Sequence, residues 1–189
     1  LKWSARLLLR PVAATFARRV VTLTPRPGES LQLLPAAELP DDLRWAESNS
    51  VVAAAFARAA SAIDAVGAAT IPADVRALVN DQLARWYGEP MGISRAWVEA
   101  PIGSLATAMR PAARLALLTA LASFQVDATV VGAFSQQSSG DEALLGTVTW
   151  AAFTAARRVG VWLGAPAAAR RDGRDEFVEH PNGSRARPL

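Results

Sequence analysis

Apolar residues recur along this chain at helical spacing, and no segment alternates convincingly between apolar and polar at period two. Without an alternating strand to bury one face of a sheet, such a chain can build a core only by packing helix on helix. The predicted fold class is therefore all-α. Its 189 residues, 51% of them hydrophobic, suffice for one domain, or one and a small extension, with no metal or disulfide to support the core.

The punctuation residues divide the chain. Trp3, Leu7, Leu8, Val12, Phe16 and Val20 form a stripe that predicts a helix over 3–22, kinked or divided at Pro11. Pro25, Pro27, Pro35 and Pro40 forbid regular structure over 24–47, which reads as an extended connector laid on the surface. A helix over 50–66 follows, capped by Ser48 or Ser50, with Val51, Val52, Ala55, Phe56, Ala59 and Ile63 inward and Gly67 as its stop. Pro72 in a first turn, Asp74 at the positive helix end, and Val75, Leu78, Val79, Leu83 and Trp86 on one face predict a helix over 72–87, ended by Gly88.

Ser94 caps a short helix carrying Trp97 and Val98 and closed near Pro101. Another begins around Pro111 with Leu115, Leu118 and Leu121; a break over 123–127 separates it from a short helix holding Val130, Val131 and Phe134. Ser139-Gly140-Asp141-Glu142 has capping-box spacing for a last helix. Leu145, Val148, Ala152, Phe153, Ala156, Val159 and Leu163 mark its face, and Gly164 with Pro166 terminates it. The expected organisation is an N-terminal helix and Pro-rich connector over 1–47, a helical domain over 48–164, and a disordered tail of mixed charge over 165–189.

Several chemistries are excluded by composition. Cysteine is absent, which removes disulfides, thiolate metal ligands, iron–sulfur ligation and cysteine nucleophiles together. His180, the one histidine, lies in the polar tail and argues against a Ser-His-Asp triad or a multi-histidine metal site. No cofactor is expected, because Gly132 and Gly140 lack the spacing of a dinucleotide or phosphate-binding loop. The net charge is +3, Lys2 is the single lysine, and the arginines are spread without a basic block interleaved with aromatics, so no nucleic-acid partner is expected. Arg10 and Pro11 interrupt the apolar run after Leu9, against a signal peptide. The membrane candidate, 115–134, carries Gln125 and Asp127 near its middle and reads instead as a buried helix pair of a cytoplasmic protein. Leu1 is not a start methionine, which suits a piece of something longer.

One octet concentrates the remaining interest: Ala122-Ser123-Phe124-Gln125-Val126-Asp127-Ala128-Thr129, preceded by the apolar helix Arg114-Leu115-Ala116-Leu117-Leu118-Thr119-Ala120-Leu121. It resembles the core of the AhpD-like superfamily, which contains the alkylhydroperoxidase D and carboxymuconolactone decarboxylase proteins. Active members carry a motif such as Cys-Pro-Tyr-Cys-Val-Asp-Ala-His. Phe124 matches the tyrosine, and Val126, Asp127 and Ala128 match directly. Ala122, Gln125 and Thr129 stand in the places of the first cysteine, the second cysteine and the histidine, and the family's upstream glutamate falls near Arg110.

The segments 10–35, 40–45, 115–127 and 151–163 resemble the C-terminal half of longer actinobacterial members, whose upstream half usually holds the intact motif. The resemblance covers roughly 5–164 and implies a degenerate half-domain with pseudo-active-site positions, partnered by an upstream AhpD-like half or a homo-oligomer.

Other candidates compete with this reading. Asp127, with Arg114 and Arg157, is the candidate constellation for a cysteine-independent decarboxylase, against a plain helix N-cap role for Asp127. Arg157 and Arg158 form a candidate clamp for a carboxylate substrate. Glu89 and Glu99 are a weaker carboxylate pair, and Trp86, Tyr87 and Trp97 candidate walls of a small-molecule pocket. A helical ligand-binding domain is the third option.

Overall fold

The computed structural model describes residues 27–138 and 140–175, with side chains through 164. The predicted helix over 3–22, the Ser139 cap, His180 and the tail beyond 175 lie outside the described residues. The fold is all-α: helices and 3-10 turns follow one another, with no strand among the described residues.

The Pro-rich segment is more structured than its composition suggests. It holds 3-10 turns at Glu29–Leu33 and Asp41–Ser48, and the second is pinned into the core by Leu43 and Ala46. Trp45 from that turn stacks edge-on against Phe56, with ring centroids 5.1 Å apart. The expected extended surface connector is thus corrected: prolines prevent a long helix, but they permit short turns that bury one face.

Helix α1 (Ser50–Thr70) is capped by Asn49, not by Ser48 or Ser50, because the Asn49 Oδ1 accepts from the Val51 and Val52 amides at 3.1 and 3.2 Å. It runs past Gly67, which is no stop. A Cβ there would lie 2.6 Å from Cγ of Trp150, so the glycine exists to let an indole lie against the helix backbone. The buried residues of α1 are Ala57, Ala60 and Gly67, while the expected inward residues Val52 and Ala55 are exposed. Among the described residues α1 is the one helix long and apolar enough to cross a membrane by length and composition. The earlier candidate stretch, 115–134, is divided by a turn.

Helix α2 (Ala73–Arg85) buries Val75, Val79 and Leu83, as its apolar face predicts. The Ser94 hydroxyl accepts from the Ala96 amide at 3.2 Å and starts a 3-10 turn at Arg95–Val98 that continues into α3 (Glu99–Ile102). Helix α4 (Arg110–Leu121), with proline in its first turn, is the central element. Ala113, Leu115, Ala116, Leu117 and Leu118 are all fully buried, which happens only when neighbours cover a helix on several sides. It packs against α2, against α5 (Ala128–Ser135) and against α6 (Asp141–Asp175).

Helix α6 departs from expectation twice. Its buried face is Gly146, Thr147, Trp150, Ala151 and Ala155, whereas the predicted Leu145 and Leu163 are among the most exposed apolar residues described. Small side chains make this possible. A Cβ on Gly146 would meet Val66 and Thr70 of α1 at 2.9 Å, and one on Gly164 would come 2.5 Å from Cβ of Trp45. The close approach of backbones selects the face, with Trp150 the one large side chain buried among small ones. For the same reason Gly164 does not end the helix, which continues through Pro166 to Asp175; residues 165–175 are helical, not part of a disordered tail.

Candidate functional site

The octet sits where α4 hands over to α5. Helix α4 ends at Leu121, and Ala122 leaves helical geometry with φ −154° and ψ 57°. Ser123–Gln125 then form a single 3-10 turn, and Asp127 is extended before α5 begins. A motif of this kind presents its first side chains at a turn and its last on a helix start.

Ala122 is buried, its amide bonded to the Leu118 carbonyl at 2.8 Å. Gln125 is also buried, at 7% exposure, and its side chain is saturated. The Oε1 accepts from the Trp97 indole N–H at 3.1 Å, and the Nε2 donates to the Gly92 and Ile93 carbonyls at 2.8 and 3.1 Å. This amide ties the 92–97 segment to the octet. Thr129 is exposed in the first turn of α5 and lines a small cavity of about 220 Å³ with Arg95, Glu99, Arg114, Val130 and Ala133.

That cavity is lined by charges already spent on one another. Arg114 binds Glu99 through two nitrogens, the shortest distance being 2.7 Å. Arg95 pairs with Asp127 at 3.0 Å. Asp127 itself is an exposed N-cap, its Oδ1 accepting from the Thr129 and Val130 amides at 3.0 Å each. The Val130 amide first, and then Arg95, hold its carboxyl below the ordinary aspartate range. A general acid or base would need the opposite shift.

The expected constellation of Asp127, Arg114 and Arg157 is not assembled. Asp127 and Arg114 come near the same cavity through Arg95 and Glu99, but Arg157 belongs to another site. It binds Asp42 as a two-point fork at 2.6 and 2.7 Å and Asp64 at 3.0 Å. The fork to Asp42 is the main reason its guanidinium is held protonated above the usual range. The pairing with Arg158 as a clamp is likewise corrected, since Arg157 is occupied while Arg158 donates to the Ala84 and Trp86 carbonyls.

Glu89 and Glu99 do not form a pair. Glu89 accepts from the Tyr87 amide at 3.0 Å, which lowers its carboxyl, whereas Glu99 is held by Arg114. Nor do the three aromatics share a pocket: Trp86 leans on Trp162 with centroids 5.3 Å apart, and Trp97 points its N–H at Gln125. Among the described residues no group of three or more histidine, cysteine, aspartate or glutamate side chains could hold a metal.

Sequence reasoning missed Arg95, Asp42 and Asp64 as partners. Arg95 follows a readable cap at Ser94, so its place beside the octet had a local clue. Asp42 and Arg157 lie 115 positions apart and had none.

An alkyl hydroperoxide reductase of Mycobacterium tuberculosis is 40% identical to this chain over 162 residues, which are 86% of this chain and 46% of that protein. The chain spans about half the length of the curated relative it matches. No family model matches it, and no solved structure does.

Proposed function

We propose that this chain is an AhpD-like domain, as its 40% identity to an alkyl hydroperoxide reductase suggests, and a catalytically silent half of a longer protein, supporting an active half or building an oligomer. The observation that carries the reading is Gln125. Peroxide reduction in a dithiol enzyme needs a thiolate to attack oxygen, a second thiol to resolve the sulfenic acid, and a neighbour that lowers the thiol pKa. At the second-cysteine position this chain has a buried amide with its donors and acceptor committed to Trp97, Gly92 and Ile93. Ala122 and Thr129 supply neither nucleophile nor base.

What remains is a physical role. Helices α1 and α6 leave Val52, Val66, Leu145 and Leu163 exposed, apolar side chains that a packing partner would cover. The greater length of the relative favours an upstream half as that partner over a second copy.

The test is the reading frame upstream of Leu1. A Cys-x-x-Cys-x-x-x-His within the preceding couple of hundred residues is the expected result. A stop codon close to Leu1 would overturn the half-protein reading.

A further inference from the structure

A cavity of about 520 Å³ lies away from the octet, between the 41–48 turn, α1, α2 and α6. Its volume falls in the range of small-molecule sites. Three arginines and two aspartates line it, with Asn80 and an apolar floor that includes Leu83 and Trp150.

The charges do not cancel. Arg157 takes both carboxylates, Asp42 through a fork and Asp64 through a single contact. Arg76 is left with the Ile71 carbonyl at 3.3 Å, and Arg158 with the Ala84 and Trp86 carbonyls at 2.9 and 3.5 Å. Neither has a carboxylate partner among the described residues. The cavity therefore carries one net positive charge when all five groups are ionised.

Arg158 is also prepared for a ligand. Its guanidinium lies 5.2 Å from the Trp162 ring centroid and 5.5 Å from that of Tyr87, which holds the plane in place. Its Nε is buried and without a hydrogen-bond partner. A buried charged donor left unmade is costly, and a carboxylate oxygen would satisfy it. The Thr154 hydroxyl already donates to the Trp150 carbonyl at 2.8 Å, so the cations and the Asn80 amide are the donors facing the cavity.

We propose that this cavity is a binding site for a small carboxylic acid with an apolar body, its carboxylate held by Arg158 and Arg76 and its body laid on Leu83 and Trp150. The proposal does not depend on the octet being silent, because none of these residues touches it. A cationic ligand would meet the uncompensated guanidiniums, and a purely inorganic anion would leave the apolar floor uncovered.

Titration of the full chain with octanoate, followed by calorimetry and by the indole N–H resonance of Trp150, tests it. Saturable binding that shifts the Trp150 signal is expected, with octanamide at least about tenfold weaker because it lacks the charge. Arg158→Gln and Arg76→Gln should each weaken octanoate about tenfold or more, while Arg114→Gln, beside the octet, should leave it unchanged. Should Arg158→Gln fail to fold, the Arg76→Gln variant and the amide comparison decide the matter. Absence of saturable octanoate binding, equal affinity for octanamide, or indifference to the arginine substitutions would overturn the proposal.

Discussion

Replacing Gln125 by alanine removes three hydrogen bonds in one step: from the Trp97 indole at 3.1 Å, and to the Gly92 and Ile93 carbonyls at 2.8 and 3.1 Å. A typical intramolecular hydrogen bond contributes about 1 kcal/mol net. The three losses are not equal. Gly92 and Ile93 are exposed, so water can take over their carbonyls, whereas the Trp97 side chain is only partly exposed and its N–H would lose a partner in a packed site. Together these give an expected destabilisation on the order of 2–4 kcal/mol.

Urea unfolding followed by tryptophan fluorescence measures it as a lower midpoint at unchanged slope. Gln125→Glu sharpens the test. The oxygen replacing Nε2 would face two carbonyl oxygens, so the buried carboxyl should titrate above its unfolded value. Its proton is then favoured by folding, and the variant should gain stability relative to wild type as the pH falls. An alanine variant within about 0.5 kcal/mol of wild type, the usual spread for inert surface changes, would refute the view that Gln125 pins the octet.

Further expectations follow from the packing. Gly67→Ala, which drives a methyl into the Trp150 ring, should cost about 1–3 kcal/mol despite the gain in helix propensity. Gly132→Ala, which meets nothing within 4 Å, should be stabilising by about 0.4–1 kcal/mol; calorimetric melting compares the two. Asp42→Asn breaks the fork to the mostly buried Arg157 and should lower stability by about 1.5–3 kcal/mol, the scale of a charged hydrogen bond, read from urea midpoints. The Asp127 carboxyl titrates below its unfolded value, so its contribution is complete above about pH 4 and is lost as the pH falls through the folded value. Asp127→Asn keeps a capping side chain but removes that titration, so the stability gap to wild type should narrow between pH 5 and pH 2 as measured by urea midpoints (roughly the window over which aspartate protonates).

Helix positions were legible wherever a local chemical device marks them. Pro111 in a first turn, the Ser94 hydroxyl and the Asp127 cap each locate an element from a few neighbouring residues. Helix faces were not legible in the same way. On α1 and α6 the buried stripes are built from Ala57, Ala60, Gly67, Gly146, Ala151 and Ala155, residues that hydrophobicity ranks low but that allow backbones to approach. Gly67 and Gly164 read as stops because glycine often ends helices, yet here each makes room for an indole.

The site divides along the same line. The octet and its missing thiols are visible in eight consecutive residues. The bond between Gln125 and Trp97 spans 28 positions and the fork between Asp42 and Arg157 spans 115, distances at which a single sequence carries no pairing signal.

The central claim is that this chain, without a single cysteine, lacks the dithiol redox machinery of the superfamily it resembles. Steady-state consumption of an organic hydroperoxide by the purified chain, with a dithiol as reductant, tests it most directly. The predicted rate equals that of buffer and reductant alone. Turnover above that background, proportional to protein and lost on unfolding, would contradict the account.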